Sequence, residues 1–177
     1  MRTSLTVIII AAIAFALDAF TKAWALGHLH QGVLAPFIPG VLHLTLTTNT
    51  GGAFGIGRDL KGLMTLLPIA ICGGIIYWIF RRQKHGPPLH VLETVGLSLV
   101  LGGASGNICD RLVRGRVTDF LDFAFMDFPI FNVADSLIDV GVALILVHSI
   151  VVGTKAPKTD ATAAQQSNAA ETGEQNG

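Results

Sequence analysis

Four apolar stretches of roughly bilayer-spanning length dominate this chain of 177 residues, and they leave few folds open to it. A helix rises about 1.5 Å per residue, so about 20 apolar residues are needed to cross the hydrocarbon core. The first stretch runs from about Leu5 to Leu26 (LTVIIIAAIAFALDAFTKAWAL) and the second from about Leu63 to Phe80 (LMTLLPIAICGGIIYWIF). The third, about Leu89 to Ser105, is weaker because it carries Glu93 and several glycines, and the fourth runs from about Ala134 to Gly153. Between the first two, residues from about Val33 to Gly57 are too broken by Pro and Gly for a span. Alternation around Val41–Thr47 suggests short strands there instead. The expected fold class is an all-α membrane protein, with four transmembrane helices and a small β-rich piece at the outer surface. Residues 1–153 form one membrane-embedded domain on this reading. The polar tail, 154–177, cannot build a core and is expected to be disordered.

Composition narrows the function as well. Apolar residues make up 51 % of the chain and charged residues only 14 %, too few for an ordinary soluble domain. Twelve basic residues balance twelve acidic ones, so no basic field exists to bind nucleic acid. Cys72 and Cys109 show no CxxC spacing, and His28 and His30 form an i, i+2 pair without a third ligand. Neither a disulfide framework nor a metal site is indicated, and no cofactor is expected. Arg2 with the apolar run after it also fits a cleavable signal sequence, but the helix continues past Asp18 and Lys22 to Trp24 and is read as a span. Arg81, Arg82 and Lys84 end the second span, and Lys155 and Lys158 follow the fourth. Placing these in the cytoplasm puts both termini inside. Arg111, Arg114 and Arg116 alternate with Asp110, Asp119 and Asp122 and are read as internally paired.

Six of the twelve acidic residues fall between Asp110 and Asp139, where ionisable groups at membrane depth are costly unless paired or functional. Asp119 begins the short apolar run TDFLDF, and Asp135 sits in the first turn of the fourth span. The intervening segment, with Pro129 and several aromatics, is long enough to fold back and bring the two acids together. Two carboxylates that close hold one proton between them and titrate as a unit. Such a pair can activate water with its ionised member and polarise a carbonyl with its protonated one, without metal, Cys or Ser. The structural alternative is that Asp135 only caps its helix and Asp119 pairs with an arginine. Asp18 and Lys22, one turn apart on the first span, would brace the site or simply form an intrahelical ion pair with Lys22 reaching outward. Asn49 in NTGGAFG and Asn132 in FNVAD offer both donor and acceptor to a substrate backbone or a carboxylate, and either also suits a turn.

Taken together, DAFTK, NTGGAFG, GGASGNICDR, GRVTDFLDF and FPIFNVADS stand in the order and spacing of the lipoprotein signal peptidases, the type II signal peptidases of bacteria, which residues 5 to 150 resemble. The resemblance implies a four-span aspartic endopeptidase of the inner membrane with its active site toward the periplasm. Its substrates would be diacylglyceryl-modified prolipoproteins, cut just before the lipidated cysteine, with membrane lipid as surroundings and a monomer as the working unit. By the same resemblance Asp119 and Asp135 match the catalytic pair. Asn49, Arg111 and Asn132 match substrate-contacting positions, and Asn107, Asp110, Asp18 and Lys22 match supporting ones. Asp139 lies outside the pattern and receives no role.

Two rival chemistries are less consistent with the sequence. Gly103-Ala104-Ser105-Gly106 resembles the GxSG of rhomboid intramembrane proteases, but Ser105 would need an adjacent base, and His148 falls at the far end of the fourth span. A small ion- or proton-conducting protein would spread its acids through the bilayer, whereas these concentrate toward one interface.

Overall fold

The helix least suited to face lipid takes the middle of the bundle. In a computed structural model, which describes residues 2–51 and 61–153, α1 (Arg2–His28), α2 (Lys61–His85), α3 (Val91–Arg114) and α4 (Val133–Gly153) are the four helices long and apolar enough to span a membrane. In α3, 61 % of the most apolar stretch is buried inside the protein, against 6 % in α2. The glycines and polar residues that weaken α3 as a lipid-facing span therefore face protein. A Cβ on Gly96 would stand 2.6 Å from the Gly141 carbonyl oxygen, and one on Gly103 would stand 2.6 Å from that of Ala134. Such side-chain-free positions let helix backbones approach closely. Outward, Ile8, Ile13, Phe20, Leu66, Ile76 and Ile150 are exposed, an apolar surface that suits lipid and not water.

Helix ends are set by local chemistry. The imidazole of His90 accepts the Leu92 N–H at 3.2 Å and Glu93 Oε2 accepts the His90 N–H at 3.0 Å, closing the start of α3. Gly115, at φ 70°, ends it in the left-handed conformation, its N–H bonded to the Arg111 carbonyl at 3.0 Å. That turn delivers the chain directly into a strand.

The β-rich piece is a three-stranded antiparallel sheet in the order β1 (Leu34–Ile38), β2 (Leu42–Asn49), β3 (Val117–Phe123). The first two strands fall inside the expected region, whose residues 52–57, like the tail 154–177, lie outside the described residues. The third comes from TDFLDF and its neighbours, which the sequence marks only as a short apolar run. Thr47, Thr48 and Asn49 pair with Asp119, Thr118 and Val117, and the register shifts between Leu44 and Thr47. Such an irregularity beside a polar residue re-aims its side chain. Beneath the sheet, Leu44, Leu46 and Phe120 pack on Ala25 of α1, which fixes the sheet to the bundle.

Candidate active site

The return from β3 to α4 brings the acids together. The Phe131 carbonyl accepts the N–H groups of Phe120 and Leu121 at 2.9 and 2.8 Å, and Phe131 N–H donates to the Leu121 carbonyl at 2.9 Å. The next residue, Asn132, is thereby held against β3, and its Nδ2 donates to Asp119 Oδ1 at 2.6 Å. Asn132 is also the N-cap of α4. Its Oδ1 accepts the Asp135 N–H at 3.0 Å while Asp135 Oδ2 accepts the Asn132 N–H at 3.2 Å. Asp135 therefore does cap its helix, as the structural alternative holds, but its other oxygen is engaged elsewhere: Oδ1 accepts from Asn107 Nδ2 at 2.8 Å.

Behind this pair lies a buried polar network. Lys22, only 2 % exposed, does not reach outward. It meets Asp18 Oδ2 at 2.8 Å and Asp110 Oδ2 at 3.5 Å, and donates to Asn107 Oδ1 at 2.7 Å. Asp18, fully buried, accepts the Ala134 N–H at 2.9 Å, so α1 also helps satisfy the free N–H groups at the start of α4. Gly106 of α3 makes room for this, since a Cβ there would collide with the Asp18 carboxylate. Asp110 accepts the Thr118 N–H at 2.9 Å and pairs with Arg114.

Of the expected arginine–aspartate pairings, only that between Arg114 and Asp110 is found among the described residues. Arg111 instead donates to the Gly51 carbonyl at 3.1 Å and the Asn107 carbonyl at 3.5 Å. Asp122 accepts from Thr45 Oγ1 at 3.0 Å, and Asp119 from Asn132. The reason is geometric. Side chains wind around α3, where only residues about one turn apart meet, and alternate between the two faces of β3, so charges close in sequence do not in general face each other. Asn49 turns its Oδ1 onto the Gly51 N–H at 2.9 Å, as a loop asparagine does, and also borders the acid cavity.

That cavity, about 540 Å³, is lined by Asn49, Asn107, Arg111, Asp119 and Asp135, with Phe123, Phe128, Phe131, Ile138 and Val140 as apolar walls. Burial pushes the Asp119 carboxyl up to about 6, with the charge of Asp135 adding to the effect and the Asn132 hydrogen bond opposing it. A buried carboxyl close to a second one, in a cleft also open to apolar ligand, is suited to proton transfer near neutral pH. Ser136 and Asp139 line the cavity too. Asp139, which lies outside the family pattern, sits one turn after Asp135 on the same face of α4, so the i, i+4 spacing alone carries it to the cavity. Ser105, by contrast, opens onto a different, apolar groove, and His148 lies beside Glu93 at 3.5 Å and stacks on His90. Among the described residues no three His, Cys, Asp or Glu side chains converge as metal ligands do.

Comparison with known proteins agrees with this architecture. Residues 10–151 match the family model described as signal peptidase (SPase) II. A lipoprotein signal peptidase from Nostoc punctiforme is 41 % identical over 141 residues, 80 % of this chain and 87 % of that one. One from Brevibacillus brevis is 40 % identical over 147 residues, 83 % of this chain and 96 % of that one. Two solved structures described as bacterial membrane enzymes superpose with TM-scores of 0.75 and 0.71 at 30 % and 32 % identity, covering 88 % and 81 % of this chain and 92 % and 91 % of theirs.

Proposed function

The chain belongs to the signal peptidase II family, and from that premise we propose that it removes signal peptides from diacylglyceryl-modified prolipoproteins, cutting just before the lipidated cysteine with Asp119 and Asp135 as the catalytic pair. The carrying observation is that both carboxyls line one cavity and are tied to each other through a single residue, Asn132.

The pair holds one proton. Its ionised member takes a proton from water as the oxygen attacks the scissile carbonyl carbon, while the protonated member donates a hydrogen bond to the carbonyl oxygen. Collapse of the tetrahedral species breaks the C–N bond, and the departing nitrogen takes a proton from the pair. The products are a carboxylate on the signal peptide and a free amine on the lipidated cysteine. Asn132 and Asn107 keep both carboxyls aimed, since each amide oxygen is itself held, that of Asn132 by the Asp135 N–H and that of Asn107 by Lys22. Arg111, anchored on the Gly51 carbonyl, and Asn49 line the same cavity and offer donors to a substrate backbone.

The reaction requires water yet acts on a peptide held in lipid, so the cleft belongs near an interface. The phenylalanine, isoleucine and valine walls suit the apolar end of a signal peptide and acyl chains, each buried methylene adding about 0.8 kcal/mol. The basic end of α2 and the acid cavity occupy opposite ends of the bundle, which supports a cytoplasmic location for both termini and a periplasmic site in the inner membrane. Every side chain named comes from one copy, so a monomer suffices.

The test is cleavage of a diacylglyceryl-modified precursor by purified protein in lipid. Asp119→Asn and Asp135→Asn should each lower kcat at least about 10³-fold, within the range of general acid–base effects, while melting cooperatively. Undiminished cleavage by either variant refutes the assignment.

A further inference from the structure

Among the described residues α2 packs chiefly on α3 and hardly meets α1, and the gap between them is a groove of about 500 Å³. Val7, Ala11, Phe15, Cys72, Ile76 and Leu101 form its walls, and none of its lining residues belongs to the acid cavity. One end is polar. Ser4 Oγ donates to Gln83 Oε1 at 2.5 Å, while Gln83 Nε2 is buried without a partner. A buried amide nitrogen carries two donors, and leaving them unmet is costly, so this end is built to receive an acceptor oxygen.

Phe80, one turn before Gln83 on α2, lines the groove and is shared with a shallow hollow of about 390 Å³ lined also by Tyr77, Arg81, Lys84 and His85. Neither Arg81 nor Lys84 forms a salt bridge among the described residues. An apolar slot therefore continues into a basic hollow, with an unmet amide donor at the junction. Ser4 precedes Lys22, a member of the acid network, by about 27 Å along α1 at 1.5 Å per residue. The basic end thus faces the membrane surface opposite to Asp119 and Asp135. A molecule with its head there is not positioned to be cut.

We propose that this groove binds one anionic phospholipid, its acyl chain lying between α1, α2 and α3 and its phosphate meeting Gln83 Nε2, Arg81 and Lys84. The lipid completes the contact between α1 and α2 that the protein leaves open.

The experiment places the purified full chain in nanodiscs of equal phosphatidylglycerol and phosphatidylcholine, then identifies by native mass spectrometry the lipid retained on release into detergent. One phosphatidylglycerol per chain is expected, favoured over phosphatidylcholine about thirtyfold, as two basic side chains near a surface would give. Arg81→Gln with Lys84→Gln should abolish the preference. Ala12→Trp, which fills the groove from a lining position and leaves both cations in place, should remove the retained lipid while circular dichroism stays helical. Equal retention of the two lipids by the unaltered chain overturns the proposal. So does an unchanged phosphatidylglycerol complex in either variant, the surface pair serving as the test if the tryptophan variant does not fold.

Discussion

Lys22 Nζ donates to Asn107 Oδ1 at 2.7 Å, and that contact helps set which way the Asn107 amide faces. A lysine ammonium can only donate, so the amide oxygen must turn toward α1, and the NH₂ group is left to donate to Asp135 at 2.8 Å. Asn132 Nδ2 adds a second donor to the same oxygen at 3.2 Å. Replacing Lys22 by Met removes the cation that meets Asp18 and Asp110 in a nearly water-free site. Breaking a buried pair from one side costs about 3–5 kcal/mol, because the other charge stays buried. Lys22→Met should therefore lower the melting temperature sharply, and Lys22→Met with Asp18→Asn should recover part of the loss. With the Asn107 oxygen held only by the longer bond from Asn132, the amide is less firmly aimed at Asp135, and kcat should fall by about 10²-fold with a smaller change in KM. A double variant no more stable than the single one would contradict a coupled pair.

The raised Asp119 carboxyl makes a pH prediction whose sign is opposite to that of a salt-bridged acid. Its ordinary value is 3.8 and burial pushes it to about 6, so between those values the folded protein keeps a proton that the unfolded chain releases. Stability then falls as pH rises through that window and levels off above it. In Asp119→Asn this titration is absent and the hydrogen bond from Asn132 can persist. The variant should gain on the unaltered protein as pH rises from 4 to 7, by up to about 3 kcal/mol at 1.36 kcal/mol per pKa unit. Paired thermal melts across that range measure the difference, and parallel curves would show that Asp119 does not titrate there. In kinetics, kcat/KM should show a limb near pH 6 belonging to the pair as a whole.

What was legible in the sequence follows from how far each signal reaches. Spans of about 20 apolar residues are local and strong, so the four helices could be read directly, and α3 read weakly for a reason that proved structural: Gly96, Gly103 and Glu93 serve packing and capping, not lipid. The i, i+4 ion pair of Asp18 and Lys22 is equally local and is present at 2.8 Å. β3 was harder to read because a seven-residue run becomes a strand only by pairing with β2, some seventy residues earlier. The arginines find partners other than those that charge alternation suggests for a related reason, since alternation along a chain says nothing of direction once a helix turns into a strand at Gly115. The meeting of Asn132 with Asp119 depends on the Phe131 backbone docking on Leu121, which no spacing encodes.

Ser105 offers a clean discrimination between chemistries. It lines the apolar groove beside Phe15 and Gly102, while the imidazole of His148 is committed to Glu93 at the opposite end of α3, about 18 Å away at 1.5 Å per residue. Ser105→Ala should keep kcat/KM within about twofold, since an activated serine requires an adjacent base. EDTA should leave the rate unchanged if water is activated by carboxyls alone. Loss of turnover in either case would count against the acid pair, and the precursor-cleavage assay reads both.

Gly106 and Gly73 should respond oppositely to the same substitution. In an exposed helix, alanine is favoured over glycine by about 0.8–1.0 kcal/mol. At Gly73 of α2 a Cβ meets nothing within 4 Å, so Gly73→Ala should stabilise by up to that amount. At Gly106 the new methyl would strike the Asp18 carboxylate, which is fixed from two sides by Lys22 and the Ala134 N–H. The carboxylate cannot yield without breaking one of them. Overpacking of this kind costs about 1–3 kcal/mol, more than the helical gain. Gly106→Ala should thus lower the melting temperature and, by displacing Lys22 from Asn107, reduce cleavage as well. Melting curves and initial rates on the two variants settle the matter, and a Gly106→Ala protein as stable and active as its parent would mean that Asp18 has freedom to move.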